Sequence, residues 1–495
     1  MVTLGIVTGG AAVVYSRVCR GESGVVVMLW NTMGRELQTF EPINEGKVGM
    51  YCCGPTVYDF AHVGNLRTYL FEDIARRTFE YFGFSVRHVM NVTDVGHLTG
   101  DTDEGEDKML KGAREKGKTV WEIAEFYAKA FFRDFELLHC SPPTVICRAT
   151  EHIQDMIELI LRIEAKGFTY IAGGNVYFDI SKFPGYGKLA LLDLRDLRAG
   201  ARIAVDEGKK NPADFVLWFT RSKFEHQAML WDSPWGKGYP GWHIECSAMS
   251  MKYLGEHFDV HCGGADHPPV HHTNEIAQSE AATGARWVNY WLHGEWLLME
   301  KEKMAKSAGN FTTLSTLTEK GYDPLDYRYF CLGAHYRTQL AFSWESLDAA
   351  RAGRQGVIDR ILQLKAQAGG AVQPSGKAAE YVTDFETHAA DDLNMPRCLA
   401  DLWTLLRDSS VPPAEKMGAV FRMDRILGLG LSDVQEREVA LDEETRRLVD
   451  QRETARRLRD FKKADEIRAL LLSKGIEVQD SPKGPKVRFA AGQRT

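Results

Sequence analysis

The chain has 495 residues, 44% of them hydrophobic, with a mean hydropathy of −0.29 and a net charge of −7. That length exceeds one ordinary domain and points to three or four. No apolar run reaches the length of a membrane-spanning helix, and the net acidity excludes a surface coated for polyanions, though not a local basic patch. Nine cysteines, odd in number and scattered, make no disulfide framework; they point to a reducing cytoplasm and leave thiols free for metal.

Residues 1–27 form a Val- and Gly-rich leader without the basic start of a signal peptide. A second Met, Met28, opens a fold-like segment, so the leader is expected to be disordered or not translated. Over 28–140, strand-like runs (Val48–Cys52, Val86–Val92) alternate with helical patterns at 69–82 and 120–138, the signature of the first half of a parallel-sheet α/β domain. Pro142 and Pro143 punctuate the chain. A helix at 151–166, a hairpin at 169–180 and a Gly-, Arg- and Asp-rich stretch then read as a connective insertion, 141–212. The second half of the sheet domain follows at 213–300. A lysine-bearing loop opens a connecting region at 301–345, a helical bundle occupies 346–435, and 436–495 is a small C-terminal module. The expected fold is therefore α/β, Rossmann-like and split by an insertion, with a bundle and a small module behind it.

Three places carry candidate chemistry. Tyr51–Arg67 runs from strand through a Gly54-Pro55 turn into a helix start at His62-Val63-Gly64-Asn65. Imidazole and amide groups beside unsatisfied backbone N–H groups are how α/β proteins hold phosphate. His271 and Glu275, at i and i+4 on a helix after Pro268-Pro269, project from one face, and zinc accepts both donor types. An exposed pair on a solvated face fits that spacing equally. Cys53 and Cys246 are available to complete a site assembled from distant segments. On the loop Lys301–Asn310, Lys303 and Lys306 flank small residues, and mobile ammonium groups of this kind neutralise transferring phosphate. His139, Cys140, Cys147 and His152 offer a rival metal set of permissive spacing, for which buried Cys and surface His are the simpler reading.

With these residues in view, the chain resembles the cysteinyl-tRNA synthetases, a family of class I aminoacyl-tRNA synthetases, nearly continuously from Leu29 to Arg488. CGPTVYDFAHVGN is similar to the first class signature and KMAKS to the second. NVTDVGHLTGDTDEGEDKM, GARIAVDEGKKNPADF, WDSPWGKGYPGWHIECSAM and HHTNEIAQSEAATG resemble segments particular to the cysteine enzymes. The resemblance implies a zinc ion, one per subunit, on Cys53, Cys246, His271 and Glu275. It selects Cys53 over Cys52, and strand alternation sends those two thiols to opposite faces. It further implies ATP bound by His62, Gly64, Asn65 and Lys306, catalysis by charge neutralisation from His62, Asn65, Lys303 and Lys306, and Mg²⁺ with ATP. Trp242, His243 and Thr93 are expected to line the cysteine pocket. Zinc would take the substrate thiol as thiolate and discriminate against serine, so no editing domain is needed.

Three positions depart from the family pattern: Asn65 ends the first signature, Ala305 replaces the serine of the second, and Pro269-Val270 precede the two histidines. None removes a zinc ligand or Lys306, so activity is expected, with altered ATP kinetics. The resemblance implies tRNA(Cys), ATP and L-cysteine as partners, no membrane, a monomer and a cytoplasmic location. Region 301–345 would meet the tRNA stem and 436–495 the anticodon. The stretch 451–495 carries twelve basic side chains against six acidic ones, in keeping with an RNA-facing module, although a solvated amphipathic helix gives the same count. Two rivals remain: a ligase passing cysteine to an amino sugar by the same adenylation, and a non-catalytic tRNA-binding paralogue.

Overall fold

The computed structural model describes residues 25–95, 119–191, 208–221, 229–299, 312–435, 442–480 and 484–489. A hairpin of β1 (Met28–Asn31) and β2 (Glu36–Thr39) leads into β3 (Lys47–Cys52), helix α1 (Val63–Tyr81), β4 (Ser85–Val92), α2 (Val120–Leu137), β5 (Val145–Arg148) and α3 (Ile153–Ala165). After an antiparallel excursion, β6 (Thr169–Ala172), β7 (Asn175–Phe178), β8 (Phe215–Phe219) and β9 (Tyr239–Pro240), the chain returns with α4 (Trp242–Leu254), β10 (Phe258–Gly264), α5 (His271–Thr283) and β11 (Val288–Gly294). The central sheet has the order β11-β10-β3-β4-β5, and all four pairings are parallel. Ligands of such sheets collect beyond the carboxyl ends of the strands, which here means Cys53, Thr93 and Gly264 onward.

The insertion boundaries differ from the expectation of 141–212. β5 hydrogen-bonds to β4 in parallel, with Val89 opposite Val145, and so belongs to the central sheet. Beyond the other end, β8 pairs with β7 and β9 in the separate four-stranded sheet. Pro142-Pro143 therefore marks a turn into the sheet's edge strand rather than a domain boundary. At the leader, residues 1–24 lie outside those described. Val27 is 2% exposed, and its carbonyl accepts the Phe40 N–H at 2.8 Å, so the folded body extends N-terminal to Met28.

Beyond β12 (Leu297–Met299) the chain continues through α6 (Leu314–Glu319), α7 (Pro324–Leu332), β13 (Leu340–Phe342) and helices α8 (Trp344–Gln367), α9 (Gly376–Ala390), α10 (Met395–Arg407) and α11 (Pro413–Leu427). The C-terminal module holds α12 (Glu443–Arg457), α13 (Phe461–Ser473) and the antiparallel pair β14 (Ile476–Gln479) and β15 (Lys486–Phe489). One hydrophobic core runs from the α1 face of the sheet (Met50, Cys52, Leu70) into the bundle (Ile361, Leu402, Val420). A second fills the opposite face beneath α3, α4 and α5 and includes Cys53 and Cys246. The C-terminal module has a small core of its own around Val449, Ile467 and Leu471. Among the described residues no helix is long and apolar enough to cross a membrane.

Candidate active site and metal centre

Cys52, the last residue of β3, points into the core shared with the bundle, while Cys53 points to the opposite face, as strand alternation requires. Directly after it Gly54 is jammed against β4. Its N–H donates to Asn91 Oδ1 at 2.8 Å, and a Cβ there would sit 1.7 Å from the Asn91 carbonyl oxygen. Only glycine lets the chain turn this close to its neighbour.

On that face four donors converge. Cys53, Cys246 from α4, and His271 and Glu275 from α5 each offer a ligand atom, all within 4.8 Å of one another and all buried. His271 and Glu275 do lie one helical turn apart facing the same point, and their Nε2 and Oε1 are 2.7 Å apart. Glu275 is fully buried, with His271 at its Oε1 and His261 at its Oε2. A buried carboxylate beside two thiols and an imidazole fits a divalent cation of borderline softness. Hydrogen bonding from Cys53 draws the Cys246 thiol down to about 7 against the pull of burial, with His271 helping. Burial works to raise Glu275 as well, but His271 and His261 outweigh it and hold the carboxyl near 2.

The sequence reading missed two histidines in the same cluster. His261 Nε2 lies 2.7 Å from Glu275 Oε2, and His272 Nε2 lies 3.4 Å from Cys53 Sγ. With Cys53 and Glu275 they form a second four-donor group sharing two ligands with the first. His272 continues to His293 at 2.8 Å, and His293 to the Thr32 hydroxyl at 2.7 Å. Such partners orient the ligand that each one touches. The signals were an imidazole inside the apolar strand FDVHCGG and the doubled histidine before Thr273. The rival set does not assemble: Cys140 and Cys147 fall in different cores, His152 is bound to the Arg148 carbonyl and the Tyr253 hydroxyl, and both four-donor groups among the described residues contain Cys53.

Around the cluster, the Trp242 ring packs 4.5 Å from that of His271, and His243 Nδ1 is 2.9 Å from His271 Nδ1. Thr93 follows the carboxyl end of β4. It is 1% exposed, and its hydroxyl donates to Glu245 Oε2 while accepting from Asn91 Nδ2.

At the other end of the same stretch, α1 begins at Val63, within the helix start expected at His62–Asn65, although the apolar periodicity sets in only later. His62 is its N-cap: Nδ1 accepts the Asn65 N–H at 3.1 Å, and Asn65 Oδ1 accepts the His62 N–H at 3.2 Å. This reciprocal box satisfies the helix start and fixes both side chains. A Cβ at Gly64 would meet the His62 ring at 2.9 Å, so the small residue lets the imidazole lie over the first turn. Thr312 and Thr313 run beside this point, the Val63 N–H donating to the Thr312 carbonyl at 2.8 Å. Lys303 and Lys306 lie outside the described residues, on the segment between β12 and Thr312.

The family model described as the class I tRNA synthetase (C) catalytic domain matches residues 39–352. A cysteine–tRNA ligase of Treponema denticola is 52% identical over 478 residues, covering 91% of this chain and 97% of the relative. Cysteine–tRNA ligase 1 of Burkholderia lata is 49% identical over 93% of this chain and 96% of its own length. The corresponding Borrelia hermsii enzyme is 42% identical over 94% and 100%. Among solved structures, a Mycobacterium tuberculosis methionyl-tRNA synthetase bound by methionyl-adenylate superposes with a TM-score of 0.55 at 14% identity, over 78% of this chain and 93% of that one, a likeness of fold. A second structure of that synthetase gives 0.53 at 15% identity, over 77% and 90%. The class I catalytic domain and the near full-length identity place this chain in the cysteine–tRNA ligase family of the class I aminoacyl-tRNA synthetases.

Proposed function

We propose that this member of the cysteine–tRNA ligase family, which joins L-cysteine to tRNA with ATP, selects its amino acid through a zinc ion held by Cys53, Cys246, His271 and Glu275. The observation that carries the reading is the convergence of these four buried donors, all within 4.8 Å of one another, beyond the carboxyl end of β3. Bound zinc supplies a Lewis acid that favours a thiolate over a hydroxyl, which separates cysteine from serine at the binding step. Trp242 and His243 wall the space beside His271. Thr93, bonded to Glu245 of α4, lines the pocket with them.

ATP lies with its phosphates at the N-terminus of α1, where His62 and Asn65 are locked and the close approach at Gly64 keeps the ring in place. The cysteine carboxylate attacks the α-phosphorus and pyrophosphate leaves. Lys303 and Lys306 offset the developing charge, so the protein contributes positioning and electrostatics more than proton transfer. Mg²⁺ accompanies the ATP. The 2′-hydroxyl of the terminal adenosine of tRNA(Cys) then attacks the carbonyl carbon and AMP departs. Region 301–345 and the bundle meet the tRNA stem, and the C-terminal module meets the anticodon. The chain works as a monomer in the cytoplasm, where its eight described cysteines, all free and buried, stay reduced.

The test is cysteine-dependent ATP–pyrophosphate exchange followed by charging of tRNA(Cys). Both are expected. Exchange without charging would favour an amino-sugar acceptor, and neither, in a folded zinc-bound protein, would favour a non-catalytic paralogue. Lys306→Ala should lower the exchange kcat by about a hundredfold or more with zinc content unchanged.

A further inference from the structure

Between β10 and α5 the chain makes a tight turn, Ala265-Asp266-His267, closed by the His267 N–H donating to the Gly264 carbonyl at 3.0 Å. The His267 ring lands on the metal face of the sheet. Its centroid is 5.2 Å from that of His271 and 4.8 Å from that of His272. Gly263 makes room for it, since a Cβ there would lie 2.3 Å from His267 Nδ1 and 2.8 Å from His272 Cε1. Gly264 does the same on the other face: its Cβ would meet Asp266 Oδ1 at 2.3 Å and Thr68 Oγ1, on α1, at 3.8 Å. The turn thus spans from the thiol-selecting cluster to the helix that begins at His62. The amino-carboxylate end of cysteine has to lie across that interval, its sulfur at the metal and its carboxylate against the α-phosphate.

His267 Nδ1 is buried and, among the described residues, has no hydrogen-bond partner. Its Nε2 stands 3.9 Å from Asp266 Oδ2, beyond hydrogen-bond reach. A desolvated ring nitrogen left in this condition is a poor structural element but a ready ligand contact. The side chain keeps 19% of its surface exposed.

We propose that His267 is a substrate-contacting residue that hydrogen-bonds the amino-carboxylate end of the bound cysteine. The proposal rests on reading the neighbouring cluster as the cysteine site. His267 offers no ligand atom to either four-donor group, so its loss should leave the metal in place.

The test uses the full-length zinc-loaded protein in ATP–pyrophosphate exchange. His267→Leu, which keeps bulk and removes both nitrogens, is expected to raise the KM for cysteine about tenfold. The kcat, the KM for ATP, the zinc content and the melting temperature are expected to stay at wild-type values. His267→Asn, with a donor and an acceptor at similar reach, should recover most of the cysteine KM, and it carries the test if the Leu variant fails to fold. An unchanged cysteine KM in His267→Leu, equal defects in the Leu and Asn variants, or parallel loss of zinc would overturn the proposal. Wild-type protein that activates cysteine without zinc would overturn the metal reading beneath it, a result visible before any variant is made.

Discussion

Cys52 and Cys53 are adjacent in the chain and buried in different cores, so they make opposite predictions. Cys246→Ser, like loss of Cys53, should lower zinc content and cysteine affinity together, because a hydroxyl is a weak donor to zinc. Cys52→Ser should leave zinc stoichiometry unchanged and reduce stability by about 1–3 kcal/mol, the penalty for a hydroxyl in a dry core. Metal analysis of the purified variants beside urea titration checks both. The separation of the two thiols was legible from strand alternation alone. The choice between them was not, since spacing treats both alike, and the resemblance settled it. His261 escaped notice because one imidazole in an apolar strand looks like any buried core histidine until its 2.7 Å approach to Glu275 is seen.

Helix α1 links the chemistry to the bundle. Its N-terminus carries the His62–Asn65 box. Its middle carries Asp73, which Arg328 of α7 meets at 2.7 Å with both side chains fully buried. The same guanidinium donates to the Leu427 carbonyl ending α11 and to the Leu138 carbonyl beyond α2. Arg328→Met should therefore destabilise by about 3–5 kcal/mol, leaving a buried carboxylate short of its main partner. Burial alone would raise the Asp73 pKa, but Arg328 and Arg77 overcome it and hold the carboxyl below its ordinary value. A depressed carboxylate stabilises the fold above its unfolded pKa. That contribution is lost as pH falls below about 4 and through the folded value. The gap in urea midpoint between wild type and Asp73→Asn should accordingly shrink over that range. Gly54→Ala should cost at least about 3 kcal/mol, because its Cβ meets rigid backbone at Asn91. Most elements were legible in their apolar periodicity. The start of α1 was legible from the polar His62–Asn65 segment rather than from periodicity, but its reciprocal box became visible only when both hydrogen bonds were in view.

At the scale of the whole molecule, the alternating pattern predicted the parallel sheet correctly but not where the insertion leaves it. Strand β5 is four residues long and follows two prolines, so nothing local tied its Val145 to Val89 of β4. Its membership is a tertiary fact. The C-terminal charge excess was legible, but its use was partly misread. Arg452 is buried and pairs with Glu453 and Asp480, and Arg456 also reaches Asp480, so these two side chains hold the module together. Arg457, Arg459, Lys462, Lys463 and Arg468 are exposed, and the proposed anticodon contact would draw on them. Their replacement by Gln should weaken tRNA charging, flatten its salt dependence and leave pyrophosphate exchange unaltered. The central claim is that the buried donors at Cys53 hold the ion that reads the substrate thiol. Zinc-edge X-ray absorption on the purified protein tests it most directly. Two sulfur donors per zinc are predicted without substrate and three with saturating cysteine, returning to two with serine. A sulfur count that does not change with cysteine would contradict the account.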